Sequence, residues 1–172
     1  MYRKMAIIYV EKGDDPMNFK WLADLITNPF LVTAMSSWFI AQVLKTIIHA
    51  IVNKKLDILR LFGDGGMPSG HSATVTSLAV ICGLAYGFGS VQFAIAGILA
   101  VVVCHDATGV RLETGKQAII LNQIIDTYHL ISEKKLPEVK LKEFVGHTPF
   151  QVGAGILLGI ANAILMYNLL PF

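Results

Sequence analysis

The chain has 172 residues, of which 54% are hydrophobic and only 15% are charged, and its mean hydropathy is +0.59. Soluble domains carry about 25% charged residues, so this composition is typical of a membrane protein. The net charge of +2 is small and the sequence has no basic run or aromatic–basic stripe, so we expect no nucleic-acid partner.

The length fits one domain behind a short leader. Residues 1–27 are predicted to be a polar N-terminal leader, because the apolar run 5–10 is shorter than a signal peptide requires and no small-residue cleavage site follows it. Residues 28–172 are predicted to form a single membrane-embedded domain. Cys82 and Cys104 lie in apolar stretches, where free thiols behave as small hydrophobes, so we expect neither a disulfide nor a metal from them.

Four segments are apolar enough to cross a bilayer, namely 29–52, 72–88, 91–107 and 149–170. Pro29 suits the first position of the first helix, and Thr148 is a natural N-cap before Pro149. The second and third segments are short for full spans, which favours a tilt or a continuation into buried backbone. The sequence therefore predicts an all-α polytopic membrane bundle with about four transmembrane helices.

A further helix is predicted between the third and fourth segments. Apolar residues recur there at helical spacing, and polar residues are predicted to lie opposite them. The apolar set is Ala118, Leu121, Ile124 or Ile125, Tyr128 and Ile131, and the polar set is Asn122, Asp126 and His129. This amphipathic helix is expected either to lie at the membrane interface or to cap the bundle.

The positive charges indicate an orientation. If all four segments cross the membrane, loops 53–71 and 106–148 share one side, and most cationic residues fall in them. These nine are Lys54, Lys55, Arg60, Arg111, Lys116, Lys134, Lys135, Lys140 and Lys142. The positive-inside rule then predicts an integral membrane protein whose motif-bearing loops face the cytoplasm.

Small residues recur every four positions in two of the predicted helices. The stripes are Ala79, Gly83 and Gly87 in one and Gly155, Gly159 and Ala163 in the other. Such stripes allow helices to approach closely in lipid. Packing within one chain is the favoured interpretation, and a homo-oligomer through these glycine-rich helices is the alternative.

Two histidines stand at the starts of membrane helices. His71 lies in Gly-Gly-Met-Pro-Ser-Gly-His-Ser-Ala (65–73), and His147 directly precedes Thr148-Pro149. A helix N-terminus attracts anions through its unpaired N–H groups and positive dipole end. One imidazole would attack phosphorus while the other protonates the leaving oxygen. The plainer alternative is that each histidine only caps a helix.

Cationic side chains are candidates for binding the phosphate. Arg111 follows an apolar segment closely, and its planar guanidinium matches phosphate oxygens. Lys45 lies inside the first apolar segment, where a lysine is either functional or extends its head group toward the bilayer edge.

Carboxylates are candidates for orienting His147. Glu143, Asp106 and Asp64 are the candidates, and the sequence does not choose among them. A metal centre is the rival chemistry, with His71, His105, Asp106 and His147 as its ligands. Since HExxH or a comparable spacing is absent, we expect no metal and no cofactor.

Several short motifs together resemble a known family. Besides residues 65–73, they are Asp-Ala-Thr-Gly-Val-Arg (106–111), Gly-Lys-Gln-Ala (115–118), Leu-Asn (121–122) and Gly-His-Thr-Pro (146–149). This combination resembles the type 2 phosphatidic acid phosphatase superfamily, relatives of the vanadium haloperoxidases. It is closest to the divergent branch of small membrane proteins, and the resemblance covers residues 28–170.

The resemblance implies roles for individual residues. His147 would be the nucleophile that becomes phosphorylated, and His71 would be the general acid. Ser69 and Gly70 would bind phosphate oxygens, and no metal would be needed. The chain departs from the wider superfamily at three places: Val52 replaces an arginine, Lys140-Leu141 replaces Ser-Arg, and Gln151 replaces the aspartate four residues after the nucleophile.

These observations predict a membrane hydrolase. The expected reaction is metal-independent hydrolysis of a lipid phosphomonoester or pyrophosphate through a phosphohistidine. The substrate would be a lipid phosphate, with surrounding membrane lipids as further partners. The alternatives are a catalytically silent phospholipid binder or carrier, and a structural assembly protein of the membrane.

Overall fold

The computed structural model describes residues 19–54, 65–131, 141 and 146–172. Within these ranges the chain forms helices and no strand. The helices are α1 (Lys20–Thr27), α2 (Pro29–Asn53), α3 (Gly70–Tyr86), α4 (Val91–Thr108), α5 (Val110–Ile131) and α6 (Pro149–Leu169). The predicted all-α class is confirmed, and the four predicted spanning segments correspond to α2, α3, α4 and α6. The short helix α1 lies within the segment predicted to be a polar leader.

Side-chain caps fix where the helices begin. Asn28 Oδ1 accepts the backbone N–H groups of Phe30 and Leu31 ahead of α2, which has Pro29 at its first position. Thr148 and Gln151 form a reciprocal capping box at the start of α6. These bonds satisfy N–H groups that have no acceptor within a helix, which matters most where water is scarce. The predicted helix starts at Pro29 and Thr148 are confirmed.

Within the described ranges, three helical stretches are long and apolar enough to cross a membrane: Pro29–Asn53, Val91–Tyr128 and Pro149–Leu169. The second joins α4 and α5, which meet at Gly109. Helix α3 has 17 residues, a length of about 25 Å, against a hydrocarbon core of about 30 Å. It contacts α2, α4 and α6, so it lies among the longer helices rather than facing lipid on all sides.

The closest helix contact in the bundle joins α3 and α6. A Cβ atom on Gly155 would lie 2.5 Å from the Ser69 carbonyl oxygen, and one on Gly159 would lie 2.5 Å from the Ala73 carbonyl oxygen. Only glycine permits backbones this near, because any side chain would displace the neighbouring helix. This glycine stripe therefore packs within one chain, as favoured from the sequence.

The order of these contacts gives the helix directions. Gly155 lies at Ser69 and Gly159 lies at Ala73, so α3 and α6 run parallel. Helix α2 runs opposite to both, because its Phe30 ring stacks on Tyr86 at the end of α3, with ring centroids 5.1 Å apart. The starts of α3 and α6 and the end of α2 therefore lie together. We call this the site end of the bundle.

A buried polar cluster joins α2 to α6 in the membrane-spanning part. Asn162 Nδ2 donates to the Thr33 carbonyl oxygen at 3.2 Å and to Ser36 Oγ and Ser37 Oγ at 2.9 and 2.7 Å. Asn162 is 5% exposed, and Thr33 and Ser37 are fully buried. Hydrogen bonds of this kind contribute about 0.6–2 kcal/mol to helix association in lipid.

Helix α5 confirms the predicted helix but corrects its polar face. The apolar side chains of Ile124 and Ile131 are exposed, as an interfacial helix requires. Asn122, however, was expected among the solvated polar residues and is 6% exposed. Its amide pairs with the backbone of Leu141, accepting from the N–H and donating to the carbonyl at 3.0 Å each. A hydropathy pattern cannot distinguish a polar residue that faces water from one that binds a returning chain segment.

Enlarging Gly159 tests the α3–α6 contact. We expect Gly159→Ala to lower the free energy of unfolding in detergent by about 1–3 kcal/mol relative to Gly153→Ala, because the new methyl group would meet the α3 backbone. Gly153 is the matched control, since it lies in the same helix and a Cβ there meets nothing within 4 Å. Equal stabilities of the two variants would contradict the close approach.

Candidate functional site

The start of α3 is held by its own serines and by α6. Ser69 is the N-cap, and its Oγ accepts from the Ser72 backbone N–H at 3.3 Å and from the Ser72 hydroxyl at 3.0 Å. The Ser69 backbone N–H donates to the Gln151 carbonyl oxygen at 3.0 Å. Both serines are fully buried. The first turns of α3 and α6 are thus joined directly, and both present N–H groups at the site end.

The segment before α6 is fixed by the junction of α4 and α5. The His147 backbone N–H donates to the Ala107 carbonyl oxygen at 2.9 Å. Gly146 has a φ of +93°, and a Cβ there would lie 2.5 Å from the Leu112 backbone nitrogen. Only glycine satisfies both the left-handed conformation and this contact. Backbone contacts with the end of α4 and the start of α5 therefore fix the position of His147.

These two arrangements bring the histidines together. The ring centroids of His71 and His147 lie 6.3 Å apart, and the ring planes are inclined by 76°. His147 is 5% exposed, whereas His71 is exposed to solvent. The pair thus consists of a buried imidazole and an accessible one, which differ in environment although the same residue type stands at each helix start.

Lys45 of α2 also reaches the site end. It is 5% exposed, and its Cγ lies 3.1 Å from where a Cβ on Gly66 would be, so its stem packs against the glycines before the Ser69 motif. A lysine extending to the bilayer edge would have its head group in water. Lys45 is therefore enclosed by the protein rather than extended into water.

Arg111 and Asp106, both predicted site residues, form an ion pair with each other. Arg111 Nε donates to Asp106 Oδ2, and the side chains are 53% and 36% exposed. This ion pair therefore competes with any role of the Asp106 carboxylate in orienting His147. The guanidinium has five N–H donors, and this contact uses the one on Nε.

Gln151 stands where the wider superfamily has an aspartate, and its side chain serves the helix start. Its Oε1 accepts the Thr148 backbone N–H at 3.0 Å in the capping box. The neutral amide does not supply the negative charge that a carboxylate would offer to an imidazolium.

Other predicted residues lie outside the described ranges. They are Glu143 and Asp64, two of the three carboxylates that were candidates for orienting His147. Among the residues that the structure describes, no group of three or more His, Cys, Asp or Glu side chains is arranged to hold a metal ion. His105 lies exposed at the end of α4.

Besides Asn162, two buried amide side chains were not among the residues predicted for the site. Gln42 is 6% exposed and lies almost one turn before Lys45 on the inner face of α2. Asn122 shares a buried face of α5 with Gly115 and Ala118. A signal existed for both: an amide inside an apolar helix marks an inward face, and the 115–118–122 spacing combines two small residues with an amide on one side of a helix.

Comparison with known proteins identifies the family of the chain. Residues 26–162 match the model of the Divergent PAP2 family. The chain belongs to the Divergent PAP2 family. It is also 40% identical over 146 residues to a Bacillus subtilis (strain 168) protein named "Uncharacterized membrane protein YuiD", covering 80% of this chain and 92% of that protein. No solved structure matches the chain significantly.

The Divergent PAP2 match includes every described residue of the site. It spans Lys45 near one end and His147 near the other, so the elements that meet at the site end all belong to the family's common region. This membership confirms the family resemblance seen in the motifs. The chain is therefore a PAP2-related membrane protein.

Gly146 is a sensitive position for the histidine pair. We expect Gly146→Ala to expose His147, because the methyl group would collide with the start of α5. The rate at which diethyl pyrocarbonate modifies His147, followed by mass spectrometry, should rise. Gly87→Ala is the control: its φ of +88° imposes similar backbone strain, yet a Cβ there meets nothing within 4 Å. An unchanged rate in Gly146→Ala would show that this packing does not hold His147.

Proposed function

We propose that the protein hydrolyses a lipid phosphomonoester or pyrophosphate without a metal, through a phosphorylated His147. The observation that carries this proposal is the His71–His147 pair, 6.3 Å apart at two helix starts that are hydrogen-bonded together. Family membership supports a PAP2-related protein at this coarser level.

The two imidazoles have complementary tasks. His147 attacks phosphorus, the bond from phosphorus to the leaving oxygen breaks, and His71 donates a proton to that oxygen. Water then attacks the phosphohistidine while His71 takes up the proton, and inorganic phosphate is released. The exposure of His71 suits this role because the leaving alcohol and the incoming water must both reach its imidazole.

The separation of the rings suits one phosphoryl group between them. A nucleophile needs to lie about 3–3.5 Å from the reacting atom, and an acid about 2.6–3.2 Å from the leaving oxygen. Together these distances are of the same order as the 6.3 Å between the ring centroids. Direct contact of the rings would leave no room for phosphorus.

Positive potential at the site end favours an anionic head group. The N-termini of α3 and α6 meet there, with Gly70 in the first turn of α3. Lys45 approaches from α2 and Arg111 from the start of α5. We assign Ser69, Gly70, Lys45 and Arg111 to phosphate binding. The charge distribution along the chain supports placing this end at the cytoplasmic face.

A second candidate function is phospholipid binding without turnover. Two observations favour it. The neutral Gln151 side chain caps α6, and the Asp106 carboxylate is paired with Arg111. Neither Gln151 nor Asp106 therefore gives His147 a carboxylate of its own. Such a protein would retain the anion pocket at the two helix N-termini and bind the head group without cleaving it.

Substituting the histidines tests turnover. Purified protein should release phosphate from lipid phosphates, and His147→Ala should abolish the release because the nucleophile is gone. His71→Ala should lower it by about 10²–10⁴-fold, with a much smaller loss on an aryl phosphate, whose leaving group needs little protonation. Release should survive chelation and fall with vanadate.

Two controls accompany this test. His129→Ala, on α5, should retain wild-type turnover, and circular dichroism should show that each variant is folded. If wild type and His147→Ala are equally inactive on a broad lipid-phosphate panel, hydrolysis is excluded. Tight lipid-phosphate binding in the same samples would then establish the binder.

Substituting Arg111 tests its role in phosphate binding. We expect Arg111→Ala to raise KM by about 10- to 100-fold, since hydrogen bonds to charged groups contribute about 1.5–3 kcal/mol. Asp106→Asn removes the same ion pair but keeps the arginine, so its KM should rise far less. Lys116→Ala, which removes an exposed cation paired with Glu113 on the same helix, is the surface control. Equal effects in Arg111→Ala and Asp106→Asn would assign Arg111 a structural role.

A further inference from the structure

An open groove of about 530 Å³ lies where α3, α4 and α6 meet. Thr76 lines it from α3, Val101 and Cys104 from α4, and Gly153 and Ile156 from α6. These residues belong to the membrane-embedded part of the bundle, and Val101 is 64% exposed. The open side of the groove therefore faces the hydrocarbon of the bilayer.

One end of the groove lies next to the backbone contact that holds His147. Thr108 and Pro149 line that end, and each is close in the chain to one partner of the hydrogen bond between His147 N–H and the Ala107 carbonyl oxygen. From there the groove follows α4 to Ala100 and α6 to Ile156. These runs cover eight and seven residue steps, or about 10–12 Å along a helix axis.

We propose that this groove binds one hydrocarbon chain of the lipid phosphate whose head group reaches His71 and His147. The inference rests on the proposed function and adds a binding subsite to it. An amphiphile with an anionic head suits both ends: the head meets the helix N-termini, and the chain meets apolar side chains. Free phosphate or a phosphate ester without an alkyl chain would leave the groove without an occupant.

Gly153 keeps the middle of the groove open. A Cβ there meets nothing within 4 Å, unlike those at Gly155 and Gly159 on the same helix, which would strike α3. A larger side chain at 153 would therefore enter the groove without disturbing the helix contact. This position limits how much of a chain the groove admits.

Cysteine labelling tests occupancy without requiring turnover. The chain has two cysteines, of which Cys82 is buried and Cys104 lies in the groove. In detergent, N-ethylmaleimide should label Cys104, and octyl phosphate should slow that labelling severalfold, whereas inorganic phosphate and butyl phosphate should have little effect. Cys104→Ser identifies the labelled site. Equal protection by inorganic phosphate and octyl phosphate would overturn the proposal.

Filling the groove tests selectivity for chain length. In wild type, KM for soluble alkyl phosphates should fall by up to about fourfold for each methylene added between butyl and octyl. Gly153→Leu should abolish that gain and leave KM for butyl phosphate unchanged. Gly97→Leu is the matched control, because Gly97 lies on α4 outside the groove and its Cβ position has room. A Gly153→Leu variant that keeps the wild-type dependence on chain length would overturn the proposal.

The two experiments separate this inference from the function on which it rests. Protection of Cys104 by octyl phosphate in a protein that releases no phosphate would support the groove and exclude hydrolysis. Phosphate release that is independent of chain length, together with unprotected Cys104, would support hydrolysis and exclude the groove.

Discussion

The parallel contact between α3 and α6 is the constraint on which the rest of the site depends. Gly155 and Gly159 bring the two backbones together, and the Ser69 N–H to Gln151 carbonyl bond fixes their relative height. Because the helices are parallel, both N-termini point to the same end. A histidine lies at each helix start, so this single helix contact places the two imidazole ring centroids 6.3 Å apart.

The remaining elements adjust around that contact. Helix α2 runs antiparallel to both, which places Lys45 at the site end. Asn162 of α6 fixes the position of α2 along its axis through hydrogen bonds to three acceptors on α2. The α4–α5 junction receives the His147 backbone and leaves space only for glycine at 146. In a bilayer these polar contacts have little competition from water, so they favour one arrangement of helices that apolar contacts alone would leave free to slide.

The site combines groups that suit phosphoryl transfer with supporting residues that differ from those implied for the wider superfamily. Gln151 caps α6 through its side chain, and Asp106 pairs with Arg111. Neither of these two residues is therefore a carboxylate dedicated to His147. The adjoining groove extends the site from head-group chemistry into the hydrocarbon region, which is where a lipid substrate differs from a soluble one.

Composition and the lengths of the apolar segments were sufficient to predict an all-α membrane protein. The helix start at Pro29 and the cap at Thr148 were also predictable, because apolar length and capping chemistry are local properties. The motifs were sufficient for the family. Whether Lys45 was buried, whether Asp106 faced His147 or Arg111, and whether Asn122 met water or Leu141 depended on partners far along the chain. Local patterns contain no information about such distances. Only the tertiary structure decided them, because helix packing determines which polar groups are removed from water and which partners then satisfy them.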